Sequence, residues 1–348
     1  MKAALHRTHG GPEVLDLADV SDPAPGPRDV VVQVVAVGLN RLDLLQRRGP
    51  ALLPDFTLPH IPGMDLAGHI VAVGAEVDAA RVGERVVVNP AITCGVCPAC
   101  AAGTDGLCPG KNVVGGNIAG GYAELCAVPA THALVVPDHV DLVEAATLPT
   151  AYSRAWQSLF VTGRLTIGET LLVHAASSGV TIAAVQLATR AGARVIVTAR
   201  TDADLEYALA HGADEGINTT TTDVAEATFE LTAGRGVDIV FDHLGPALFE
   251  SSIRALRPGG RLVFCGTTTG DTVQVHLPSV YHRGLTLAGS ESYSFADFER
   301  MLSYCWSGRL TSIVDRTLPI GQVAKAHELM ENSELRGKLV LLHSTDER

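Results

Sequence analysis

Four cysteines lie within fifteen residues of this 348-residue chain, at a spacing that suits a metal ion. The segment CGVCPACAAGTDGLC places two residues between each of the first three cysteines and seven before the fourth. Structural zinc takes four thiolates in a tetrahedron, and short spacings let the backbone wrap one ion. Because four thiolates leave no position for water or substrate, we predict one structural zinc per chain. Its predicted ligands are Cys94, Cys97, Cys100 and Cys108.

The other cysteines have no metal-binding spacing. The chain has seven cysteines, and an odd number without a secretion signal argues against a disulfide framework. Cys126, Cys265 and Cys305 stand in apolar strand or helix patterns. We therefore interpret them as ordinary core residues.

A second chemical signal is a strand that runs directly into small residues and then a helix. Such a turn binds the pyrophosphate of a dinucleotide, because the backbone comes close and the helix N-terminus offers free N–H groups. Residues 169–176 predict the buried strand, and residues 177–193 predict the Ala-rich helix. Only one glycine stands in the turn, so the G-x-G-x-x-G pattern is incomplete. The predicted phosphate-binding residues are Ser177, Ser178, Gly179 and Val180.

The end of the following strand bears on which dinucleotide binds. An acidic residue there would bind the ribose hydroxyls of NAD, but the sequence has Thr198-Ala199-Arg200-Thr201. The guanidinium of Arg200 can pair with the 2′-phosphate of NADP. We therefore favour NADP(H) over NAD(H), and we assign Thr198 and Arg200 to the cofactor site. The alternative is that Arg200 is a solvated surface residue.

The elements that must position these residues follow two patterns along the chain. Up to about residue 145 the apolar runs are short, Val-rich and bounded by Gly or Pro, as in 29–38, which predicts strands. After about residue 150, strands and helices alternate, which is typical of a doubly wound parallel sheet. Segment 291–348 is predicted to be helical, to end in a strand at 338–344 and to complete the first domain. We thus predict an α/β protein, with a mostly-β domain at 1–148 plus 291–348 and a parallel-sheet domain at 149–290.

Composition excludes several classes of partner. The chain has 26 basic and 38 acidic residues, so its net charge is −12 at pH 7. Nucleic acids and anionic membranes need basic surfaces, so we expect neither as a partner. No apolar run nears the roughly 20 residues of a membrane span. The first residues carry charges where a signal peptide needs an apolar stretch, so we expect a cytoplasmic enzyme with a small-molecule substrate.

Several longer segments resemble the medium-chain dehydrogenase/reductase superfamily, within its zinc-containing alcohol dehydrogenase family. They are GGPEVLDLADVSDPAPGPRDVVVQVVAVGLNRLDLLQRRG, IPGMDLAGHIVAVG followed by VGERV, GGYAELCAVP and GVDIVFDHLG. The four-cysteine run is similar to the structural-zinc lobe of that family. The resemblance implies a GroES-like catalytic domain, with its zinc lobe at residues 94–108, and a Rossmann dinucleotide-binding domain.

The chain departs from that family at the catalytic zinc. By resemblance, the first cysteine ligand falls at Asn40, the His-Glu pair at Met64-Asp65 and the third ligand near Ala146. Catalytic zinc needs three protein ligands and one open position, so we expect no catalytic zinc. The alternative is that His60 or His69 replaces a ligand. The forms GLN…D and PGMD instead resemble the zeta-crystallin-like quinone oxidoreductase branch.

The missing ligands bear on the substrate. Hydride delivery to a simple carbonyl builds an alkoxide, which usually needs a Lewis acid or a strong proton donor. Delivery to a quinone or an α,β-unsaturated carbonyl places the charge on a delocalised and weakly basic phenolate or enolate. We therefore predict an NADPH-dependent reductase of quinones or α,β-unsaturated carbonyls. The alternatives are an alcohol dehydrogenase with atypical metal ligands and a non-catalytic NADPH-binding sensor.

The resemblance also implies which residues face the substrate. Asn40 is expected to donate an amide hydrogen bond to the substrate oxygen, and Asp43 to orient the following helix. Met64 and Asp65 are expected to line the pocket, and Thr150 to contact the nicotinamide. No general acid stands out in the sequence. A homodimer or homotetramer, formed through the sheet edge LTLAGS, is a further expectation from the family.

Overall fold

The computed structural model describes residues 1–307 and 310–343, and these residues fall into two compact units. One unit combines Met1–Thr150 with the chain from Ser294 onward, and the other is Ala151–Tyr293. Residue 344, the last of the predicted strand 338–344, lies outside the described residues.

The first 150 residues form mainly short strands joined by turns. The strands are β1 (Lys2–Leu5), β2 (Asp16–Asp19), β3 (Asp29–Gly38), β4 (Asp65–Val73), β5 (Arg85–Val88), β6 (Ala91–Ile92), β7 (Asn112–Val113), β8 (Leu125–Pro129) and β9 (Ala133–Val135). The α-helices are α1 (Arg41–Arg48), α2 (Pro98–Ala101) and α3 (Leu142–Ala145). Short 3-10 turns lie at Pro12–Val14, Ala79–Arg81, Asp105–Leu107 and Ala130–His132. β3 and β5 are rich in valine, which packs well on a pleated surface.

The second unit alternates strands with helices. Its helices are α4 (Leu148–Trp156, entering from the first unit), α5 (Gly179–Arg190), α6 (Asp202–Ala210), α7 (Val224–Leu231), α8 (Phe249–Ala255) and α9 (Leu277–Tyr281), with a π-helical segment at Gln157–Thr162. Its strands are β10 (Thr170–Val173), β11 (Arg194–Ala199), β12 (Glu215–Asn218), β13 (Val237–Asp242), β14 (Leu256–Phe264) and β15 (Thr286–Gly289). The remaining elements, back in the first unit, are α10 (Phe295–Trp306), β16 (Val314–Pro319), a 3-10 turn at Ile320–Gln322, α11 (Val323–Glu331) and β17 (Lys338–Leu342).

The sheet of the first unit is completed by the C-terminal strand. Its order is β16-β17-β3-β4-β5-β9, and β8 also pairs with β3. β17 runs antiparallel to β3, with Val340 opposite Gly38. Apolar side chains of β3, β4 and β5 form the core, together with residues of α11 and β17. The sequence did not predict β16, whose partly exposed residues lack the apolar pattern of a buried strand.

The sheet of the second unit is wholly parallel within the described residues. Its order is β12-β11-β10-β13-β14-β15, so the strand order reverses between β10 and β13. This is the doubly wound order 3-2-1-4-5-6, in which nucleotides bind at the carboxyl ends of strands beside the reversal. The predicted α/β fold class, with a parallel-sheet domain, is confirmed. No helix within residues 1–307 and 310–343 combines the length and apolar character that crossing a membrane requires.

Candidate active site

Three neighbouring strands bring together residues that are far apart in sequence. β17, β3 and β4 lie side by side, and Gly38 at the end of β3 pairs with both Val340 and Asp65. Asn40 follows β3 after one residue, Asp65 begins β4 and Lys338 begins β17. The strand pairing therefore places Asn40, Asp65 and Lys338 at one point of the sheet.

The ammonium group of Lys338 bridges the other two side chains. Its Nζ donates to Asn40 Oδ1 at 2.7 Å and to Asp65 Oδ2 at 3.0 Å. Lys338 is 4% exposed and Asp65 is fully buried, so this ion pair is shielded from water. A positive charge thus lies between Asn40, where the resemblance puts the first metal ligand, and Asp65, which stands at the glutamate of the His-Glu pair.

The carboxylate of Asp65 accepts three hydrogen bonds. Its Oδ1 accepts from the hydroxyl of Thr150 at 2.5 Å and from the Thr150 backbone N–H at 3.0 Å, while Oδ2 accepts from Lys338. Thr150, predicted to contact the nicotinamide, therefore binds Asp65 with both groups. A buried carboxylate with this many donors is held in one orientation.

Asp43 lies beside this group and caps the helix that begins at Asn40. Its Oδ2 accepts from the backbone N–H of Asn40 at 2.8 Å and its Oδ1 from that of Gly63 at 3.2 Å. The backbone carbonyl oxygen of Asn40 in turn accepts from the backbone N–H of Asp43 at 3.1 Å. Burial raises the pKa of Asp43 to about 7, and the nearby charge of Asp65 acts in the same direction. Asp43 thus caps the start of α1, and its pKa lets it exchange a proton near neutral pH.

A chain of buried polar groups leads away from Asp43. The hydroxyl of Tyr122 lies 3.5 Å from Asp43 Oδ2 and 3.1 Å from His327 Nε2, and Arg47 lies 3.4 Å from His327 Nδ1. Arginine can only donate, so Nδ1 accepts and Nε2 carries the proton. Nε2–H then donates to Tyr122, whose hydroxyl donates to Asp43. Arg47 is anchored by Glu331.

Met64, His60 and His69 make no hydrogen bond to Asn40, Asp65 or Lys338 within the described residues. Met64 is buried, directly before Asp65. His60 is buried, and its Nε2 lies 3.0 Å from the carbonyl oxygen of Gly115. His69 is half-buried in β4. Within the described residues, the only group of three or more His, Cys, Asp or Glu side chains close enough to hold a metal is the cysteine cluster.

The four predicted zinc ligands converge. Their Sγ atoms all lie within 4.8 Å of one another, with Cys94 3.4 Å from Cys108 and Cys97 3.5 Å from Cys100. A tetrahedron of Zn–S bonds has edges of about 3.8 Å, so the thiols fit one zinc ion. Cys97 caps the short helix α2, and Gly95 and Gly103 turn the chain at φ +72° and +71°. The four thiols therefore lie close enough together to hold one ion.

The predicted dinucleotide turn lies between β10 and α5. Gly179 is buried as the first residue of α5, while Ser177, Ser178 and Val180 are half-buried. Ser178 makes no side-chain cap to the helix, so the first N–H groups of α5 remain available to a phosphate. The turn therefore fits the pyrophosphate of a dinucleotide.

The two residues predicted at the end of the next strand differ in exposure. Thr198 is buried, and its hydroxyl lies 3.0 Å from Nδ1 of His174, so its side chain supports the sheet. Arg200 follows the last residue of β11 and is exposed. Its position at the carboxyl end of a parallel strand is compatible with a contact to the adenosine ribose.

Sequence reasoning missed three residues of this site: Lys338, Tyr122 and His327. Tyr122 and His327 are buried titratable residues, and Lys338 begins an apolar strand. A buried charge or ring at such a position is a signal by itself, because an unpaired polar group there would be costly. Which partner it meets is not visible in the sequence.

Comparison with known proteins identifies both parts of the chain. Residues 26–138 match the family described as "Alcohol dehydrogenase GroES-like domain", and residues 179–307 match "Zinc-binding dehydrogenase". The chain is 30% identical over 343 residues to a quinone oxidoreductase of Pseudomonas aeruginosa, covering 96% of this chain and 97% of that protein. It is 28% identical to the quinone oxidoreductase of Homo sapiens, covering 98% of both.

A solved structure is also similar along the whole chain. The crystal structure of an NAD-dependent alcohol dehydrogenase superposes with a TM-score of 0.94 at 38% identity, covering 98% of this chain and 99% of that one. The similarity therefore extends over both units.

Proposed function

We propose that this chain, which belongs to the medium-chain dehydrogenase/reductase superfamily and is an NAD(P)H-dependent oxidoreductase, reduces quinones or α,β-unsaturated carbonyl compounds with NADPH. The observation that carries the proposal is the ammonium of Lys338 between Asn40 and Asp65. A fixed cation there repels a metal ion and occupies the oxygen atoms that would bind it. The quinone oxidoreductases among the relatives support the same substrate class.

The residues of the chain would act on the substrate oxygen. Bound nicotinamide supplies a hydride to the acceptor. Asn40 Nδ2 donates one hydrogen to the carbonyl oxygen of Gly38 at 3.2 Å, and its other hydrogen has no acceptor within the described residues. That N–H is available to the substrate oxygen as negative charge develops on it. One neutral donor suits an acceptor that spreads this charge over a ring or an enolate.

The cofactor preference we propose rests on Arg200. No acidic residue stands at the end of β11, where it would bind the ribose hydroxyls, and the exposed guanidinium can form charge-assisted hydrogen bonds with a 2′-phosphate. The cysteine cluster is proposed to hold one structural zinc, which would stabilise the lobe and take no part in the reaction.

Steady-state assays of the purified, zinc-loaded protein test the proposed reaction. We expect oxidation of NADPH in the presence of 1,4-benzoquinone or crotonaldehyde, and no reduction of NADP⁺ with ethanol. Asn40→Ala should lower kcat with the quinone by about 100-fold, as loss of one oxyanion donor does elsewhere. Turnover of ethanol, or full quinone activity in Asn40→Ala, would contradict the proposal.

An alcohol dehydrogenase is the second candidate. It is favoured by the 38% identity to the solved NAD-dependent alcohol dehydrogenase. Such an enzyme would need a second metal ion bound through His60, Asp65 or Asp43. Metal analysis separates the two candidates: about one zinc per chain agrees with the reductase, and two with the alcohol dehydrogenase. Tight NADPH binding without any turnover would instead indicate a sensor.

The proposed oligomer is a homodimer or homotetramer that pairs β15. This strand is at the edge of its sheet, and Leu277 and Tyr281 of the preceding helix are 68% and 65% exposed. Edge strands with nearby apolar surface are suited to pairing with a second chain. Sedimentation equilibrium gives the mass: a monomer at micromolar concentration would reject this assembly.

A further inference from the structure

We infer that Lys338 is a positioning residue that fixes the orientation of the Asn40 side-chain amide, so that the group presented to the substrate oxygen is an N–H donor. This inference rests on the proposed function, because it assigns how the donor in that reaction is prepared. The residues involved are joined by the pairing of β17, β3 and β4.

The direction of the amide follows from the chemistry of its neighbours. A lysine ammonium has three donors and no acceptor, so the Asn40 atom 2.7 Å from Lys338 Nζ must be the oxygen. The nitrogen then faces the carbonyl oxygen of Gly38, which can only accept, at 3.2 Å. Both contacts would become unfavourable in the flipped amide, with donor against donor and oxygen against oxygen. Lys338 and Gly38 therefore select the same orientation.

The surroundings hold the ammonium at this position. Asp65 accepts from Nζ at 3.0 Å and is itself held by Thr150, so it cannot rotate away without losing two hydrogen bonds. The methylene chain of Lys338 passes Gly38, where a Cβ would lie 3.3 Å from Lys338 Cε. Burial of the pair strengthens its electrostatic attraction, since little water screens it.

The ammonium also makes Asn40 a better donor. A charged group that binds the amide oxygen polarises the amide and strengthens the remaining N–H, as in other hydrogen-bond chains. Because Asp65 balances the charge of Lys338, the site gains a polarised donor without a net charge from this pair. A metal-free site obtains in this way part of the stabilisation that a Lewis acid would supply to a developing oxyanion.

Removing Lys338 alone would leave Asp65 as an unpaired buried charge, which by itself destabilises the fold. The test therefore uses the paired variant Lys338→Met/Asp65→Asn, in which the oxygen of the introduced amide can still accept from Thr150. We expect this variant to lower kcat with 1,4-benzoquinone by about 10- to 100-fold, because the Asn40 amide is free to flip. The dissociation constant for NADPH should change by less than about twofold. Lys338→Arg, which also can only donate, should keep most of the activity.

Combining Lys338→Met/Asp65→Asn with Asn40→Ala tells whether Lys338 acts by positioning Asn40 or by stabilising the fold. If Lys338 acts through Asn40, the triple variant should have the kcat of Asn40→Ala, since the amide is already gone. A further loss of tenfold in that background would overturn the inference, as would wild-type kcat in the paired variant.

Neutron diffraction from wild-type crystals tests the inference without relying on turnover or on a variant that folds. The map should show two deuterons on the Asn40 atom that faces Gly38 and none on the atom that faces Lys338. The reverse assignment would overturn the inference. Absence of quinone or enone turnover by the wild type would reject the proposed function. The neutron map would still decide the orientation of the Asn40 amide, because it does not depend on turnover.

Discussion

At the scale of single residues, an exposed guanidinium is expected to decide which cofactor binds. Replacing Arg200 by Ala should weaken NADPH binding by about 10- to 100-fold, the range of a lost charged hydrogen bond, and leave NADH nearly unchanged. Fluorescence titration gives both dissociation constants. Arg190, exposed in the last turn of α5, provides the control Arg190→Ala, which should alter neither. Equal weakening of both cofactors by Arg200→Ala would remove this residue from the cofactor site.

Two buried carboxylates lie close to Asn40. Asp43 and Asp65 are both buried carboxylates, yet their partners differ: Asp65 has an ammonium, whereas Asp43 has two backbone N–H groups and a tyrosine. Burial therefore raises the pKa of Asp43 to about 7. Two aspartates that look alike in the sequence therefore differ in the charge of the groups that bind them.

At the scale of elements, close packing at the end of β3 leaves no room for a side chain at residue 38. A Cβ on Gly38 would collide with the carbonyl oxygen of Ala146 and press on Lys338. Gly38→Ala should destabilise the protein by about 1–3 kcal/mol, the usual cost of overpacking, and lower activity through Lys338. Gly321→Ala, at a position with no atom within 4 Å, is the matched control. Urea denaturation of both variants measures the difference, and equal stability would show that α3 and β3 can move apart.

The zinc lobe is the second element that can be tested by itself. Cys97→Ser should release the metal and loosen residues 94–108, because one missing thiolate forfeits much of the about 10 kcal/mol that such sites contribute. Metal content and limited proteolysis report the two effects. Cys265→Ala, outside the cluster, should keep its zinc. Retention of zinc and of the melting temperature by Cys97→Ser would contradict a structural role.

The lobe is also tied to the rest of its unit. Asp105, between the third and fourth cysteines, accepts a hydrogen bond from the backbone N–H of Phe295 at 2.9 Å. Loss of the metal is therefore expected to reach the start of α10 as well as the loop itself. Increased hydrogen exchange at Phe295 in Cys97→Ser would report this coupling.

At the scale of the whole molecule, buried neutral histidines make stability depend on pH. Burial lowers the pKa to about 4 for His60, His174 and His243, and to about 3 for His327. Between about pH 6.5 and pH 4 the unfolded chain binds protons at these sites and the folded chain does not, so the free energy of unfolding rises with pH. We expect it to fall, on acidification through this range, by up to about 1.4 kcal/mol per pH unit for each histidine.

His60→Gln isolates one of these contributions. Glutamine can still donate to the carbonyl oxygen of Gly115 but does not titrate, so the variant should lose less stability on acidification than the wild type. Urea denaturation at a series of pH values measures the slope. His276→Gln, at an exposed site, should keep the wild-type slope. Identical slopes for all three proteins would show that His60 is charged or exposed in the folded state.

Much of the fold was visible in the sequence because its signals are local. The strand-turn-helix at residues 169–193 and the four cysteines at 94–108 are each formed by consecutive residues, so spacing and residue type predict where they lie. The alternation of strands and helices likewise predicted the parallel sheet. The strand β16 was missed because its residues are partly exposed and follow no clear period.

The amino-acid sequence shows directly which side chains the site contains: an amide at residue 40, a Met-Asp pair in place of His-Glu, and an arginine after β11. Tertiary structure alone decided that Lys338 meets Asn40, 298 residues away. Strand order places those two residues together, and it results from the packing of a whole sheet rather than from any local pattern. A buried lysine can stay charged only where an acid and an acceptor converge on it, and that convergence exists only once the strands have paired.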